Sequence, residues 1–325
     1  MKVHSLSIDS SQRDTNVYVH ANSYVVALEN PIYDVTEFKL VSARIHTPQL
    51  ATCSTNKTFS VDGVDITLDE TNYTSGTELA SDLDLKLESS SNVDTVTFDS
   101  DTNSLIFSNT GTGDNPFTFE FFDGTNGYTD TSSRVTTPHQ LMGFASDNYT
   151  SVNKQIRSGA INLEGPNSIM LRVTSGSDEF TQTVYTSTPF YTGHILLNGS
   201  DVINIHGGDD PIVHRFHSGP QKIIKELKVE FFYMSHGRLI PYDFRNQDHV
   251  LKFEITGSTD KLKNLPKVSV EEVTKEEPIS IPKKEKNVYS WKSEYIYIIL
   301  IVLTGIVTLS FMKKKPKPYR PPISG

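Results

Sequence analysis

The residues best equipped for chemistry crowd into one stretch, His206-Gly-Gly-Asp-Asp-Pro-Ile-Val-His214-Arg-Phe-His217. Imidazole nitrogens and carboxylate oxygens are ligands for divalent metals, and His214 and His217 lie close in sequence. Gly-Gly-Asp-Asp-Pro is also the composition of an ordinary surface loop. No cysteine is near and the spacing matches no zinc or iron motif. The surface loop is therefore the preferred reading, and no metal site is assigned. The single Cys53, between Thr52 and Ser54, reads as a solvent-facing or half-buried loop thiol. There is no G-x-S-x-G, no H-E-x-x-H, no P-loop and no dinucleotide fingerprint. Asp62-Gly-Val-Asp65 and Asp99-Ser-Asp101 fall short of a calcium loop. No catalytic residue and no cofactor is assigned, and the chain reads as a non-enzyme. The sequons at Asn56, Asn72, Asn148 and Asn198 are the chance product of a chain rich in Ser, Thr and Asn.

The elements that would position such residues are mostly strands. Ser5–Ile8, Tyr24–Leu28 and Phe38–Ile45 are apolar or alternating runs between polar turns, with Asn30-Pro31 as a turn signal. Phe59–Ile66, Val93–Phe98, Ser104–Phe107 and Phe117–Phe122 read the same way, and Asp101-Thr-Asn103 would fold the second of these back onto the third. Later strands are Ser168–Thr174, Gly193–Asn198, Lys225–Tyr233 and Val250–Ile255. Gly237 and Arg238 are set to turn a hairpin, with Pro241 just beyond. Tyr24, Phe38, Leu40, Phe231 and Phe253 are core candidates. One helix interrupts the pattern: Ser75 and Glu78 form a capping-box pair, and Leu79, Leu83 and Leu87 share a face. The expected architecture is a mostly β chain. A jelly-roll β-sandwich over 1–260 carries a small inserted α+β subdomain over 52–146.

From residue 261 the texture changes. Residues 261–293 are charged, punctuated by proline and poor in large apolar side chains, a linker composition. Tyr295–Met312 carries no charge, and the pattern predicts a transmembrane helix over 294–312. Trp291, Tyr295 and Tyr297 would sit in an aromatic belt, and Lys313, Lys314 and Lys315 would close the far end. Residues 313–325 form a basic, proline-rich tail able to meet lipid headgroups or nucleic acid. The charge is divided accordingly. Residues 1–260 hold 17 Lys+Arg against 33 Asp+Glu, and the remainder holds 13 against 6. An acidic main domain argues against nucleic-acid binding there. MKVHSLSIDSS has no apolar core of a secretory signal, so the expectation is a tail-anchored, single-pass protein with its main domain in the cytosol. The lone cysteine fits a reducing compartment.

Several pieces occur in an ordered series. They are Ser7-Ile-Asp-Ser-Ser-Gln-Arg-Asp14, Asn22-Ser-Tyr-Val-Val-Ala-Leu28 and Val35 through Lys39-Leu-Val-Ser-Ala-Arg-Ile45. Asn72-Tyr-Thr-Ser-Gly-Thr-Glu-Leu79 and Leu141-Met-Gly-Phe144 follow, then His236-Gly-Arg-Leu-Ile-Pro-Tyr-Asp-Phe244 and Gln247-Asp-His-Val-Leu251. The series resembles the minor capsid proteins of nucleocytoplasmic large DNA viruses, the chlorella-virus (phycodnavirus) group in particular. Gln12 stands where that pattern often has Arg, and Thr71 where it often has Gly. The resemblance implies a jelly-roll protein of an icosahedral shell. Its partners would be the major capsid protein and other minor capsid proteins, with a lipid bilayer beneath. Arg13, Asp14, Gly143, Phe144, Gly237 and Asp243 are candidate packing or turn positions. Arg13 and Asp14 would either pair with each other or stand as plain surface charges. The implied location is the virion, between shell and internal membrane. An outward-facing attachment protein that binds a receptor or glycan is the alternative.

Overall fold

The computed structural model describes residues 2–88, 92–112, 115–131, 134–181, 190–208, 211–216, 222–258 and 290–312. Residues 261–289 of the expected linker 261–293, the expected tail with Lys313, Lys314 and Lys315, and Asp209, Asp210 and His217 lie outside them. The chain divides into two units, Met1–Asn264 and Leu265–Gly325.

The first unit is built from strands and one helix. In chain order these are β1 (Lys2–Asp9), β2 (Ser23–Ile32), β3 (Val35–His46), β4 (Thr58–Val61), β5 (Val64–Thr67), α1 (Gly76–Glu88), β6 (Thr95–Asp99), β7 (Ser104–Ser108), β8 (Thr118–Glu120), β9 (Asn148–Thr150) and β10 (Gln155–Ala160). Then come β11 (Ser168–Ser175), β12 (Asp178–Glu179), β13 (Gly193–Leu196), β14 (Val202–His206), β15 (Ile212–Arg215), β16 (Ile224–Ser235), β17 (Arg238–Pro241) and β18 (Val250–Gly257).

Two antiparallel sheets face each other. One runs β1-β18-β3-β14, with β15 continuing the β14 lane along β3. The other runs β12-β11-β16-β17, with β13 also on β11 and β2 also on β16. Along β3 the inward side chains Phe38, Leu40, Ala43 and Ile45 are buried. They meet Ile169, Leu171, Val229 and Phe231 of the other sheet in one core. Each large side chain so buried stabilises by about 2 kcal/mol. Tyr24, Phe38, Leu40, Phe231 and Phe253 are all essentially inaccessible.

Between β3 and β11 the chain builds a second lobe with its own core, drawing on residues from Ala51 to Ile161. Its sheets run β10-β7-β6 and β5-β4-β8-β9. The Ser75 hydroxyl accepts from the Glu78 N–H at 3.2 Å, and Glu78 reaches back to the Thr74 N–H at 2.7 Å, closing the first turn of α1. Leu79, Leu83 and Leu87 face inward, while Leu85 is 70 % exposed on the opposite side. Gly76 is required where it stands: a Cβ would lie 2.3 Å from the Phe98 ring.

Some sequence expectations give way. Phe59–Ile66 is not one strand but the hairpin β4–β5, because Asp62 and Gly63 take φ of 51° and 76° and reverse the chain. Asn30-Pro31 is not a turn. β2 runs through it and bulges there against β16, which is how a strand accommodates a proline that cannot donate. The reversal comes later, at Asp34, with φ of 55°. The His206–His217 stretch is not simply a loop: His206 ends β14 and His214 lies in β15.

The second unit contains α2 (Ser290–Met312), which begins earlier than the apolar pattern predicts. Its side chains are described for 297–309; those of Trp291 and Tyr295 lie outside. Tyr297 is 69 % exposed. Among the described residues no helix is long and apolar enough to cross a membrane.

Candidate functional site

The polar groups of the first unit gather where the β16–β17 hairpin meets the second lobe. His236 and Gly237, not Gly237 and Arg238, form the hairpin turn with φ of 51° and 68°, and Arg238 already pairs with Ser235 as the first residue of β17. That turn places the His236 ring on the ring of His139 from the second lobe, centroids 4.0 Å apart. The Thr137 hydroxyl lies 3.0 Å from His139 Nδ1 and 3.3 Å from His236 Nε2. Further hydroxyl pairs cross the seam: Thr136 to Ser235 at 2.7 Å and Thr55 to Tyr233 at 3.0 Å. Arg238 spans it with its guanidinium, donating to the carbonyls of Asn126 (3.4 Å), Gly127 (3.0 Å) and Asp130.

Burial keeps the imidazoles, thiol and phenol of this seam in their neutral forms near pH 7. Burial holds His139 down to about 4. Burial, then the adjoining His139 and Arg238, hold His236 down to about 3. Both rings are thus neutral near pH 7. Burial pushes the Cys53 thiol and the Tyr233 hydroxyl up, so both keep their protons. Cys53 is 1 % exposed, not the solvent-facing or half-buried thiol its neighbours suggest. Its Sγ lies 3.2 Å from the Thr55 hydroxyl, beneath the seam. A neighbouring cleft of about 460 Å³ is lined by residues such as Gln140, Phe144, Asn162, Asn167 and Met234. Its lining offers amides, the Ser168 hydroxyl and apolar groups. Among the described residues no three His, Cys, Asp or Glu side chains converge on a point a metal could occupy.

A second network ties the turn after β1 to the stretch just before β18. Arg13, its side chain 7 % exposed, pairs with Asp248 at 2.6 Å rather than with Asp14. It also donates to the carbonyls of Ser10 (2.8 Å) and Tyr18 (3.1 Å). Ser10 donates to Asp248 at 2.7 Å and accepts from the His249 N–H at 2.9 Å. The Tyr24 hydroxyl is 2.9 Å from His249 Nε2. Asp14 instead accepts from the Asn16 N–H at 3.0 Å within its own turn.

The remaining positions singled out in the sequence are dispersed. Gly143, with φ of 79°, presses on β10, where a Cβ would lie 2.5 Å from the Gly159 carbonyl. Phe144 enters the second core beside Tyr149, centroids 4.8 Å apart. The Asp243 N–H donates to Gln49 at 2.8 Å, and its carboxylate accepts from the Arg245 N–H at 2.8 Å. The seam residues His139, Thr137 and Arg238 were not apparent as a group. Each sits in an unremarkable local sequence, and only the tertiary fold assembles them.

No family model and no curated protein matches this chain. Among solved structures it is similar to the mavirus penton protein. That pair is 11% identical, the match covers 79% of this chain and 100% of the other, and the TM-score is 0.33. It is also similar to a chain of the Sputnik virophage structure, at 12% identity over 79% of this chain and 98% of the other, with a TM-score of 0.27. Superpositions this loose leave the role to be argued from the chain's own residues.

Proposed function

We propose that this chain is a structural minor capsid protein of a large icosahedral DNA virus, joining the capsid lattice to an internal membrane. The observation that carries the reading is strand order. If β14 and β15 share one lane, and the partners flanking β11 and β16 are merged likewise, the sandwich has eight lanes. In chain order one sheet reads first-eighth-third-sixth and the other second-seventh-fourth-fifth. This is the order of a jelly roll, an architecture common in viral shells. Because the fold also serves lectins and enzymes, the ordered landmarks from Ser7 to Leu251 supply the choice among them.

The anchoring half of the proposal rests on the C-terminal sequence and on α2. The described side chains of α2 are apolar apart from Tyr297, Thr304 and Thr308. Both threonine hydroxyls bond inside the helix, Thr304 to the Leu300 carbonyl at 2.8 Å and Thr308 to the Thr304 carbonyl at 3.0 Å. Hydroxyls satisfied in this way suit an apolar surrounding. In the proposed arrangement the sandwich contacts the major capsid protein and other minor capsid proteins, and the charged 261–289 segment takes up the distance to the bilayer. The two attachments then reinforce each other through effective concentration. The basic tail would meet lipid headgroups or nucleic acid beyond the membrane.

Protease accessibility of the sandwich in purified particles tests the reading. Protection in intact virions and digestion once the shell is opened is the expected result. Digestion in intact virions would instead assign the sandwich to the outer surface and to attachment.

A further inference from the structure

The charge of the first unit is unevenly spread. The second-lobe segment 52–146 holds 3 Lys+Arg against 15 Asp+Glu, while the rest of residues 1–260 holds 14 against 18. On that acidic lobe, where its 121–130 loop meets the β16–β17 hairpin, stands an exposed aromatic pair. Phe122 and Tyr128 are 39 % and 45 % exposed, and their rings stack with centroids 5.3 Å apart and planes 18° from parallel. Asp123 is exposed beside them, with Oδ1 accepting from the Asn148 side-chain amide at 2.6 Å and, among the described residues, Oδ2 left for a partner. The loop carrying them is fixed from within by the Tyr128 N–H on the Phe121 carbonyl at 3.2 Å and the Thr129 N–H on the Phe122 carbonyl at 2.9 Å. From the other lobe Arg238 grips the carbonyls of Asn126, Gly127 and Asp130. A rigid, exposed aromatic pair with an adjacent carboxylate is a preorganised acceptor for a guanidinium or ammonium group.

The same chain carries the complementary surface. On the outer face of the β1-β18-β3-β14 sheet, Arg44 and Lys252 point away from the core between buried neighbours. Register makes them diagonal neighbours, since Arg44 opposes Val250 and Lys252 opposes Ser42. His206 opposes Ser42 from the other side. All three are exposed, and neither Arg44 nor Lys252 is in an ion pair among the described residues.

We propose that the aromatic–acidic knob of one copy, Phe122, Asp123 and Tyr128, docks on the Arg44–Lys252 sheet face of a second copy. The contact is heterologous, with different surfaces meeting head to tail, so it propagates as a ring or a row. Arginine stacks on an aromatic face while bonding a carboxylate, which suits Arg44 to this knob. The inference stands on charge and geometry and does not depend on the tethering role.

The test uses the full chain in detergent micelles, with donor- and acceptor-labelled copies followed by energy transfer. Association is expected at about 20 mM salt and should weaken at least tenfold at about 0.5 M, where screening is nearly complete. The double variant Arg44→Glu with Lys252→Glu, and separately Asp123→Lys, should each weaken self-association at least tenfold. Mixing the two variants should restore it, because each then offers the face the other needs. Restoration also excludes misfolding as the cause of the loss. Association indifferent to either variant, a mixture that does not recover, or a monomer at low salt would overturn the proposal. So would recruitment of the monomer to phosphatidylserine vesicles through Arg44 and Lys252, which would give the face to the bilayer.

Discussion

His139 and His236 lie ring on ring, their planes 20° from parallel, one imidazole from each lobe of the first unit. Neither can accept a proton without placing a charge against the other and against Arg238.

This gives an acid dependence of defined sign. Both rings titrate well below the ordinary value of about 6.5 in the fold, whereas the unfolded chain takes up these protons near that value. Stability is complete above about pH 6.5 and falls as pH drops from there toward 4. His249, held to about 4 by burial, adds to the same trend. The melting temperature should fall steadily between about pH 6.5 and 5, above the usual carboxylate range. A variant with His139→Gln and His236→Gln should show a shallower slope there. An unchanged slope would remove the pair as its cause.

The Arg13 network predicts a selective loss. Arg13→Ala removes the partner of Asp248 and the hydrogen bonds to the Ser10, Tyr18 and Val19 carbonyls, at a cost of about 2–3 kcal/mol. Arg13→Lys should recover little, since one ammonium cannot reach Asp248 and the Ser10 and Tyr18 carbonyls together. Urea denaturation of wild type and both variants measures this. Recovery to wild-type stability by lysine would show that charge alone suffices.

Two glycines of similar φ separate backbone strain from packing. Gly63 has φ of 76° with nothing within 4 Å of a Cβ position, while Gly143 has φ of 79° and the Gly159 carbonyl 2.5 Å away. Gly63→Ala should cost about 1 kcal/mol. Gly143→Ala should cost clearly more, about 3 kcal/mol, because β10 must move. Equal losses in thermal unfolding would show that the contact with β10 relaxes freely.

Ending the chain after Val288 should release the first unit from membranes. Flotation with liposomes should leave the shortened chain in the soluble fraction and carry the full chain upward. Flotation of the shortened chain would require a second membrane contact within the sandwich.

Much of this fold was legible because strand periodicity and burial agree. Phe38, Leu40, Ala43 and Ile45 follow the inward pattern of β3 once its bulges are allowed, and Leu79, Leu83 and Leu87 give α1 away. Short strands were not legible. β9, β12 and β17 have too few residues to show alternation, and β15 hides behind Gly-Gly-Asp-Asp-Pro. The seam was less legible still. Thr137 lies 99 residues from His236 and His139 nearly as far, and no local pattern announces that the three side chains meet in one buried cluster. Arg13 was noticed, but its partner Asp248 is 235 residues away.

The pairing of β1 with β18 has a consequence in time. Lys2 opposes Gly257, and β18 lies between β1 and β3. During synthesis the first strand therefore waits for the last, with the central lane of its sheet empty until nearly the whole first unit has left the ribosome. Such long-range closure is slow. A nascent chain therefore cannot complete this sheet, or any surface that spans it, until β18 has emerged.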